Sequence, residues 1–219
     1  MNSAAQVLEP EIDPLTPVAG PADFQKICDD GADGVIWRRR LPAGFQDWIE
    51  ALPVKALPSA RIVCSTPRID RVVSEVVEAS GMPHCDHRRW FVEDVTAMAA
   101  AFAESLTAPH VRLRFDVVSD DNCRKFHRDS VTARLLCTYR GAGTHYGLVH
   151  NGDTPDWTFS APTGAPVVLR GTLWPGDNGD SFRHRSPPIE SSNTTRLLLA
   201  VDPMTAPTDS DIYATSAAL

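Results

Sequence analysis

Two His-x-Asp triplets are the residues of this chain whose types and spacing best suit a metal site: His127-Arg128-Asp129 and His84-Cys85-Asp86. On an extended backbone, residues i and i+2 point to the same side, so the imidazole and carboxylate of one triplet can bind one metal ion. The first triplet leads directly into an apolar segment, whereas the second lies in a polar turn after Gly81. We therefore favour His127 and Asp129 as ligands; the alternative is a surface histidine followed by a capping aspartate.

A third candidate ligand, His184, follows 57 residues after His127, which is far enough for several short strands to return beside the first. Two histidines and one carboxylate, with further positions open, are the ligand set of non-heme Fe(II) oxygenases. In the strand predicted at 194–202, Arg196 lies on the same face as Leu198 and Ala200, because alternate residues point to the same side. A guanidinium on an apolar face needs an anion, which is either a protein carboxylate or the carboxylate of a bound oxo-acid.

Hydrophobic spacing indicates the elements that must position these residues. Apolar residues recur with the period of an amphipathic helix over 69–80 and 90–106, and over fewer turns at 45–52. From Val111 the period becomes two, and we predict strands at 111–117, 131–140, 157–159, 167–170 and 194–202. Helices followed by a run of antiparallel strands predict an α+β fold: a β-sandwich, jelly roll or barrel with the helices packed outside.

The strand predicted at 131–140 follows the first triplet directly, so side chains at odd-numbered positions of both segments are expected to point to the same side. Its apolar residues at odd positions, from Val131 to Tyr139, have the same parity as His127 and Asp129. If no bulge intervenes, the ligands face the same interior as these apolar side chains. The sequence thus predicts that this face forms the dry wall of the metal site.

The chain divides into four segments. We predict a flexible tail over 1–20, which is rich in Pro, Ala and acidic residues, and a second tail over 204–219. Between them we predict a helical region over 21–110, packed on a strand-rich core over 111–203 that carries the metal site. The N-terminal tail is expected to be dispensable for folding.

Composition excludes several classes of function. The net charge of −7 argues against non-specific nucleic-acid binding, and no apolar run reaches the ~18 residues of a membrane span. We predict no secretory signal at the N-terminus, and the five scattered cysteines contain no CxxC pair. We therefore expect a cytoplasmic protein without nucleic-acid or membrane partners; its oligomeric state is not indicated by the sequence.

The order His127-x-Asp129, then His184, then Arg196 resembles the Fe(II)/2-oxoglutarate-dependent oxygenase superfamily, over roughly residues 111–202. Four segments are more closely similar to an uncharacterised bacterial family, domain of unknown function 1826. They are Cys123-Arg124-Lys125-Phe126-His127, Arg134-Leu135-Leu136-Cys137-Thr138-Tyr139, Gly141-Ala142-Gly143-Thr144 and His184-Arg185-Ser186-Pro187-Pro188.

The oxygenase resemblance implies a fold and a chemistry. The core would be an antiparallel double-stranded β-helix of the jelly-roll or cupin type. His127, Asp129 and His184 would bind Fe(II) at the catalytic centre. Arg196 would bind the distal carboxylate of 2-oxoglutarate. We also expect Tyr139, at the end of the predicted dry wall, to contact the cofactor. The expected reaction is that of a dioxygenase hydroxylating an unidentified small molecule or peptide.

One departure and one rival qualify that expectation. Many oxygenases have Ser or Thr two residues after the arginine, where this chain has Leu198. Some members of the unknown-function family are encoded near zinc-homeostasis genes, which leaves open a non-enzymatic zinc-binding or metal-homeostasis protein on the same scaffold. A structural protein without a metal is a third possibility.

Overall fold

The structure, a computed structural model, describes residues 12–119, 125–150, 152–176, 181–188 and 195–207. Residues 1–11 and 208–219 of the two predicted tails lie outside this part, as does the first residue of the strand predicted at 194–202.

The three helices predicted from periodicity are confirmed. They are α1 Phe45–Ala51, α2 Ile69–Ala79 and α3 Asp86–Ser105. Short 3-10 helices occupy Pro21–Cys28, Val54–Ala56 and Thr66–Arg68. Within the part of the chain that the structure describes, no helix is long and apolar enough to cross a membrane.

Among the described residues, ten strands form two sheets. They are β1 Thr16–Pro17, β2 Gly34–Ile36, β3 Ala60–Ser65, β4 His110–Val118, β5 Ala133–Arg140, β6 His145–Leu148, β7 Phe159–Ser160, β8 Val167–Arg170, β9 Phe182–Arg185 and β10 Arg196–Met204. The large sheet has the order β1-β2-β8-β5-β10-β4-β3, and the small sheet has the order β7-β6-β9. Neighbouring strands are antiparallel except for the short parallel pair β1–β2.

The large sheet has a different partner on each face. One face packs on the helices through a cluster, the helix-side cluster, that includes Leu135, Phe91 and Phe102. The other face packs on the small sheet through the inter-sheet cluster, which includes Leu136 and Phe182. Successive strand residues alternate between the two clusters because their side chains point to opposite faces of the sheet.

Residues 12–110 do not form a purely helical region preceded by a tail. Strands β1, β2 and β3 belong to the large sheet, so the predicted boundary at residue 110 does not separate helices from strands. Residues 12–20 are also part of the fold, because Leu15 is only 2% exposed and Val18 is buried. The Val18 amide donates to the Ile36 carbonyl at 2.9 Å. A composition rich in Pro and acidic residues concealed two apolar side chains that the core accommodates.

Candidate metal centre

The structure brings the three predicted ligands together. His184 lies on β9, and His127 forms an isolated antiparallel bridge beside it. Each residue donates its backbone N–H to the carbonyl of the other at 2.9 Å. Asp129 follows two residues later, and the candidate ligand atoms of all three side chains lie within 4.8 Å of one another. Chain positions 57 residues apart therefore form one cluster.

His127 and Asp129 do not face the same side of the sheet as the odd residues of β5, contrary to the prediction. The amides of Gly171, Thr172 and Leu173 bond the carbonyls of Thr132, Asp129 and Val131, respectively. A Cβ on Gly171 would lie 1.9 Å from the Val131 carbonyl oxygen, so only glycine permits this approach. The segment between Asp129 and β5 is thus held by a turn and not by a strand ladder, and strand parity does not continue through it.

As a result, the three candidate ligands lie on the other side of the large sheet from the odd residues of β5, which were predicted to form the dry wall of the site. The odd residues of β5 belong to the helix-side cluster. The cavity at the triad is bordered instead by Arg134 and Leu136, at even positions of β5.

Tyr139, predicted to contact a cofactor, lies on the helix side. Its hydroxyl donates to the Asp94 carboxylate at 2.6 Å, and its ring packs edge-on to Phe91. Arg39 pairs with the same carboxylate. Tyr139 was predicted to face the ligands because an unbroken strand was assumed from His127 to Tyr139, whereas the backbone at 129–132 bonds to the turn at 171–173.

The electrostatics of the triad suit a cation. Burial alone would raise the pKa of Asp129, but the two histidines and Arg134 hold it well below its usual range. Burial lowers the pKa of His184, which is 6% exposed, so its imidazole is neutral at pH 7. The neighbouring Asp129 raises the pKa of His127. A metal that binds His127 therefore competes with a proton for its imidazole.

The orientation of His127 makes Nε2 available as a ligand. Its Nδ1 lies 3.0 Å from the Lys125 carbonyl oxygen, and donation to that oxygen places the proton on Nδ1. The Nε2 lone pair is then free on the side of Asp129, 3.7 Å from Oδ1. A hydrogen bond from the other ring nitrogen is the usual way in which a metal-binding histidine is oriented.

Asp129 also carries an unsatisfied atom that a metal would satisfy. Its Oδ2 is buried and has no hydrogen-bond partner, although His184 Nε2 lies 3.1 Å away. Two ligand atoms at about 2.1 Å from one metal and roughly at right angles are about 3 Å apart. The donor set and spacing therefore fit a divalent ion. A closed structural zinc site needs about four protein ligands, and the described residues bring only three together.

Arg134 is a site residue that the sequence analysis missed. It donates from Nη1 to Asp129 Oδ1 and forms a paired contact with Asp202, Nε to Oδ1 at 2.6 Å and Nη2 to Oδ2 at 2.9 Å. The available signal was an arginine and an aspartate that interrupt two otherwise apolar strands, since buried charges are normally paired.

Arg196 is buried, and among the described residues no carboxylate forms a hydrogen bond or an ion pair with it, although the charge of Asp116 is near enough to raise its pKa. It is 1% exposed, and its partners in the part of the chain described are neutral: the Ala142 carbonyl at 2.8 Å and the hydroxyls of Ser186 and Thr138, each at 3.2 Å. Burial lowers the pKa of Arg196 to about 10, so the guanidinium is still charged at pH 7. An anion of the ligand is therefore a better candidate for its partner than a protein carboxylate.

A cavity of about 480 Å³ adjoins the triad. Leu198, Thr144 and Ser186 border it, and Ser186 is also a hydrogen-bond partner of Arg196. The volume lies within the usual range of about 300–1,000 Å³ for small-molecule sites.

The second His-x-Asp triplet is a surface feature. The His84 side chain is 80% exposed and lies 3.7 Å from the Glu78 carboxylate. Asp86 begins α3 and pairs with Arg89. The interpretation of this segment as a polar turn agrees with its position, and it forms no metal cluster among the residues described.

Comparisons with known proteins give one family and several distant structural neighbours. No curated protein matches the chain. The rice dioxygenase for auxin oxidation is 15% identical, with a TM-score of 0.48 over 89% of this chain and 84% of that one. The Arabidopsis thaliana dioxygenase for auxin oxidation 1, in a complex with 2-oxoglutarate, is 13% identical, with a TM-score of 0.45 over 89% and 94%. A Pseudomonas putida prolyl-4-hydroxylase is 12% identical, with a TM-score of 0.43 over 88% and 99%.

The sequence identities and TM-scores of these structural neighbours are too low to assign a function to this chain. The sequence match to a family is of a different kind, because it extends over residues 19–202 and includes the three candidate ligands and Arg196. The chain belongs to the family of proteins of unknown function DUF1826.

Proposed function

We propose that this protein is an Fe(II)-dependent oxygenase that uses 2-oxoglutarate. One observation carries the proposal: a buried guanidinium without a carboxylate partner lies on the same side of the large sheet as a His-Asp-His cluster. The cluster has the composition of a non-heme iron site. The guanidinium supplies a fixed cation for the acid group of a cosubstrate.

In this proposal the two packed sheets form the double-stranded β-helix that the sequence resemblance implies. The antiparallel pairing of the strands and the position of the site on the face covered by the small sheet support it. The iron, when bound, supplies the oxidising chemistry. His127, Asp129 and His184 hold it on one side and leave its other positions to small ligands.

Arg196 binds the distal carboxylate of 2-oxoglutarate in this scheme. The hydroxyls of Ser186 and Thr138, which already contact its guanidinium, take the role that Leu198 cannot fill. Gly141 makes room for this arginine, because its φ is +78° and a Cβ there would lie 2.9 Å from Arg196 Cγ. The turn at 141–143 therefore packs on the cation and gives it a carbonyl partner.

The remaining cavity admits the substrate. Leu136 and Leu198 form its apolar wall, and Ser59 and Arg114 lie at another part of its lining. A dry wall strengthens the electrostatic contacts inside the site and protects reactive species from side reactions. The substrate in this proposal is a small molecule or a peptide side chain.

The test is a thermal-shift titration with Mn²⁺, a redox-stable substitute for Fe(II). Adding 2-oxoglutarate to Mn²⁺-loaded wild type should raise the melting temperature. Arg196→Leu should retain Mn²⁺ binding and weaken 2-oxoglutarate binding by about 2–4 kcal/mol, or roughly 30- to 1,000-fold. Arg140→Leu is the matched control, because Arg140 donates to the Leu52 carbonyl and not to the site.

A second measurement uses iron. Under anaerobic conditions, Fe(II) and 2-oxoglutarate together should give a visible charge-transfer band that Arg196→Leu weakens. With oxygen, succinate should form even without the substrate, at a low rate. If 2-oxoglutarate fails to stabilise the Mn²⁺-loaded wild type, Arg196 is a structural cation and the cosubstrate assignment is wrong.

A further inference from the structure

One oxygen of the Asp129 carboxylate accepts a hydrogen bond from Arg134, whereas the other contacts His184 Nε2 without a hydrogen bond. Arg134 Nη1 donates to Oδ1. Oδ2 is buried without a hydrogen bond, 3.1 Å from His184 Nε2. The two oxygens of the ligand are therefore not equivalent before any metal binds.

The direction of the Arg134 donor is itself determined by Asp202. Nε and Nη2 of Arg134 form two parallel bonds to the two oxygens of Asp202, at 2.6 and 2.9 Å. Asp202 is 2% exposed on β10, the strand adjacent to β5. A paired contact of this kind fixes the plane of a guanidinium, so the remaining nitrogen, Nη1, has one direction available to it.

We propose that Arg134 is a positioning residue that restricts Asp129 to one metal-bound oxygen. A carboxylate can bind a metal through one oxygen or through both. Binding through both would occupy one more position of a metal that has about six, and would leave fewer for small ligands. By holding Oδ1, Arg134 keeps that position open. This inference rests on the metal site of the proposed function.

The competing explanation is that the Arg134–Asp202 pair only joins β5 to β10. Metal affinity alone does not separate the two explanations. Removing a nearby positive charge strengthens cation binding, whereas losing the orientation of a ligand weakens it. The number of water molecules bound to the metal separates them, because a strand-joining pair has no influence on how many oxygens Asp129 contributes.

The experiment measures the water-proton relaxivity of the Mn²⁺-loaded protein, which reports the number of exchangeable waters on the ion. Three protein ligand atoms leave about three positions for water in the wild type. In Arg134→Met, Asp129 is free to bind through both oxygens, so the inner-sphere relaxivity per bound Mn²⁺ should fall by about one third. Arg134→Lys, which keeps the charge but lacks the planar fork, should lie between the two.

Arg134→Met leaves the buried Asp202 carboxylate without its main partner and so destabilises the fold. The double variant Arg134→Met/Asp202→Leu removes that charge and should show the same loss of relaxivity in a folded protein. Arg140→Met is the control on the same strand, since Arg140 contacts the Leu52 carbonyl and Glu50. It should retain the wild-type relaxivity.

The outcomes distinguish this inference from the proposed function. Wild-type relaxivity in the folded double variant and in Arg134→Lys would overturn the positioning role and leave the metal site intact. An equal loss in Arg140→Met would also overturn it, because the effect would then not depend on Asp129. Absence of Mn²⁺ binding to the wild type would instead contradict the metal site of the proposed function.

Discussion

The two faces of β5 differ in how their buried charged groups are paired. On the helix side, the Tyr139 hydroxyl and Arg39 share the Asp94 carboxylate, and the surrounding residues are apolar. On the inter-sheet side, Asp129 Oδ2 has no hydrogen bond and Arg196 has only neutral partners in the part described. Unsatisfied buried groups are uncommon in native proteins and concentrate where a ligand binds.

Strand β5 therefore contributes to the hydrophobic core with one face and to the candidate site with the other. Alternation of side chains sends Leu135 and Cys137 to one face and Leu136 and Thr138 to the other. Changes on the helix side should therefore alter stability without altering ligand binding. Changes at the triad should do the opposite.

The largest effect is expected at the metal ligands. Asp129→Ala or His184→Ala removes one of three candidate metal ligands and should weaken Mn²⁺ binding by more than about 100-fold. Replacing a residue that only hydrogen-bonds to a ligand typically weakens metal binding by about 10- to 100-fold. Isothermal titration should show one equivalent bound to the wild type and none to the variants. His84→Ala is the matched control. If His84→Ala lost the metal while Asp129→Ala kept it, the second triplet would be the site.

Removing residues 1–20 should destabilise both faces. Leu15 belongs to the inter-sheet cluster and Val18 to the helix-side cluster. Burial of each contributes about 1.5–3 kcal/mol, so the expected loss is roughly 3–6 kcal/mol and the melting temperature should fall by at least about 6 °C. A chain starting at residue 12 is the control. A truncated chain that melts with the full-length protein would restore the prediction of a dispensable tail.

Tyr139→Phe tests the separation of the faces directly. It removes a hydrogen bond to a carboxylate, and should cost about 1.5–3 kcal/mol of unfolding free energy in chemical denaturation. The stabilisation by 2-oxoglutarate of the Mn²⁺-loaded protein should be the same as in the wild type. A reduced 2-oxoglutarate effect would mean that Tyr139 reaches the cofactor, as the sequence predicted.

The smallest effect concerns the buried thiol of Cys137. Burial raises its pKa from 9.0 to about 12. A thiol with a raised folded pKa stabilises the fold fully below the unfolded pKa, and this contribution is lost as the pH rises towards the folded value. Between pH 8 and 10 the wild type should therefore lose roughly 1 kcal/mol more unfolding free energy than Cys137→Ala. Equal losses would show that the thiol ionises freely in the folded protein.

Part of the fold and site could be predicted because the signals are local. Helix α2 follows from apolar residues at helical spacing, and β4 from strict alternation. Strands β6 and β9 were missed because each is only four residues long and contains polar residues that obscure the alternation. Their pairing depends on each other and on His127, which lies far away in the chain.

The sequence by itself determined the types of the candidate ligands, the order in which they occur and the periods of the main helices and strands. The tertiary structure decided which face carries the site. Hydrophobic periodicity is a local property, and it predicts the side to which a side chain points only within one unbroken strand. Between Asp129 and β5 the backbone bonds to the turn at 171–173, so the ligands face the inter-sheet side with Arg134 and Leu136 and away from Tyr139.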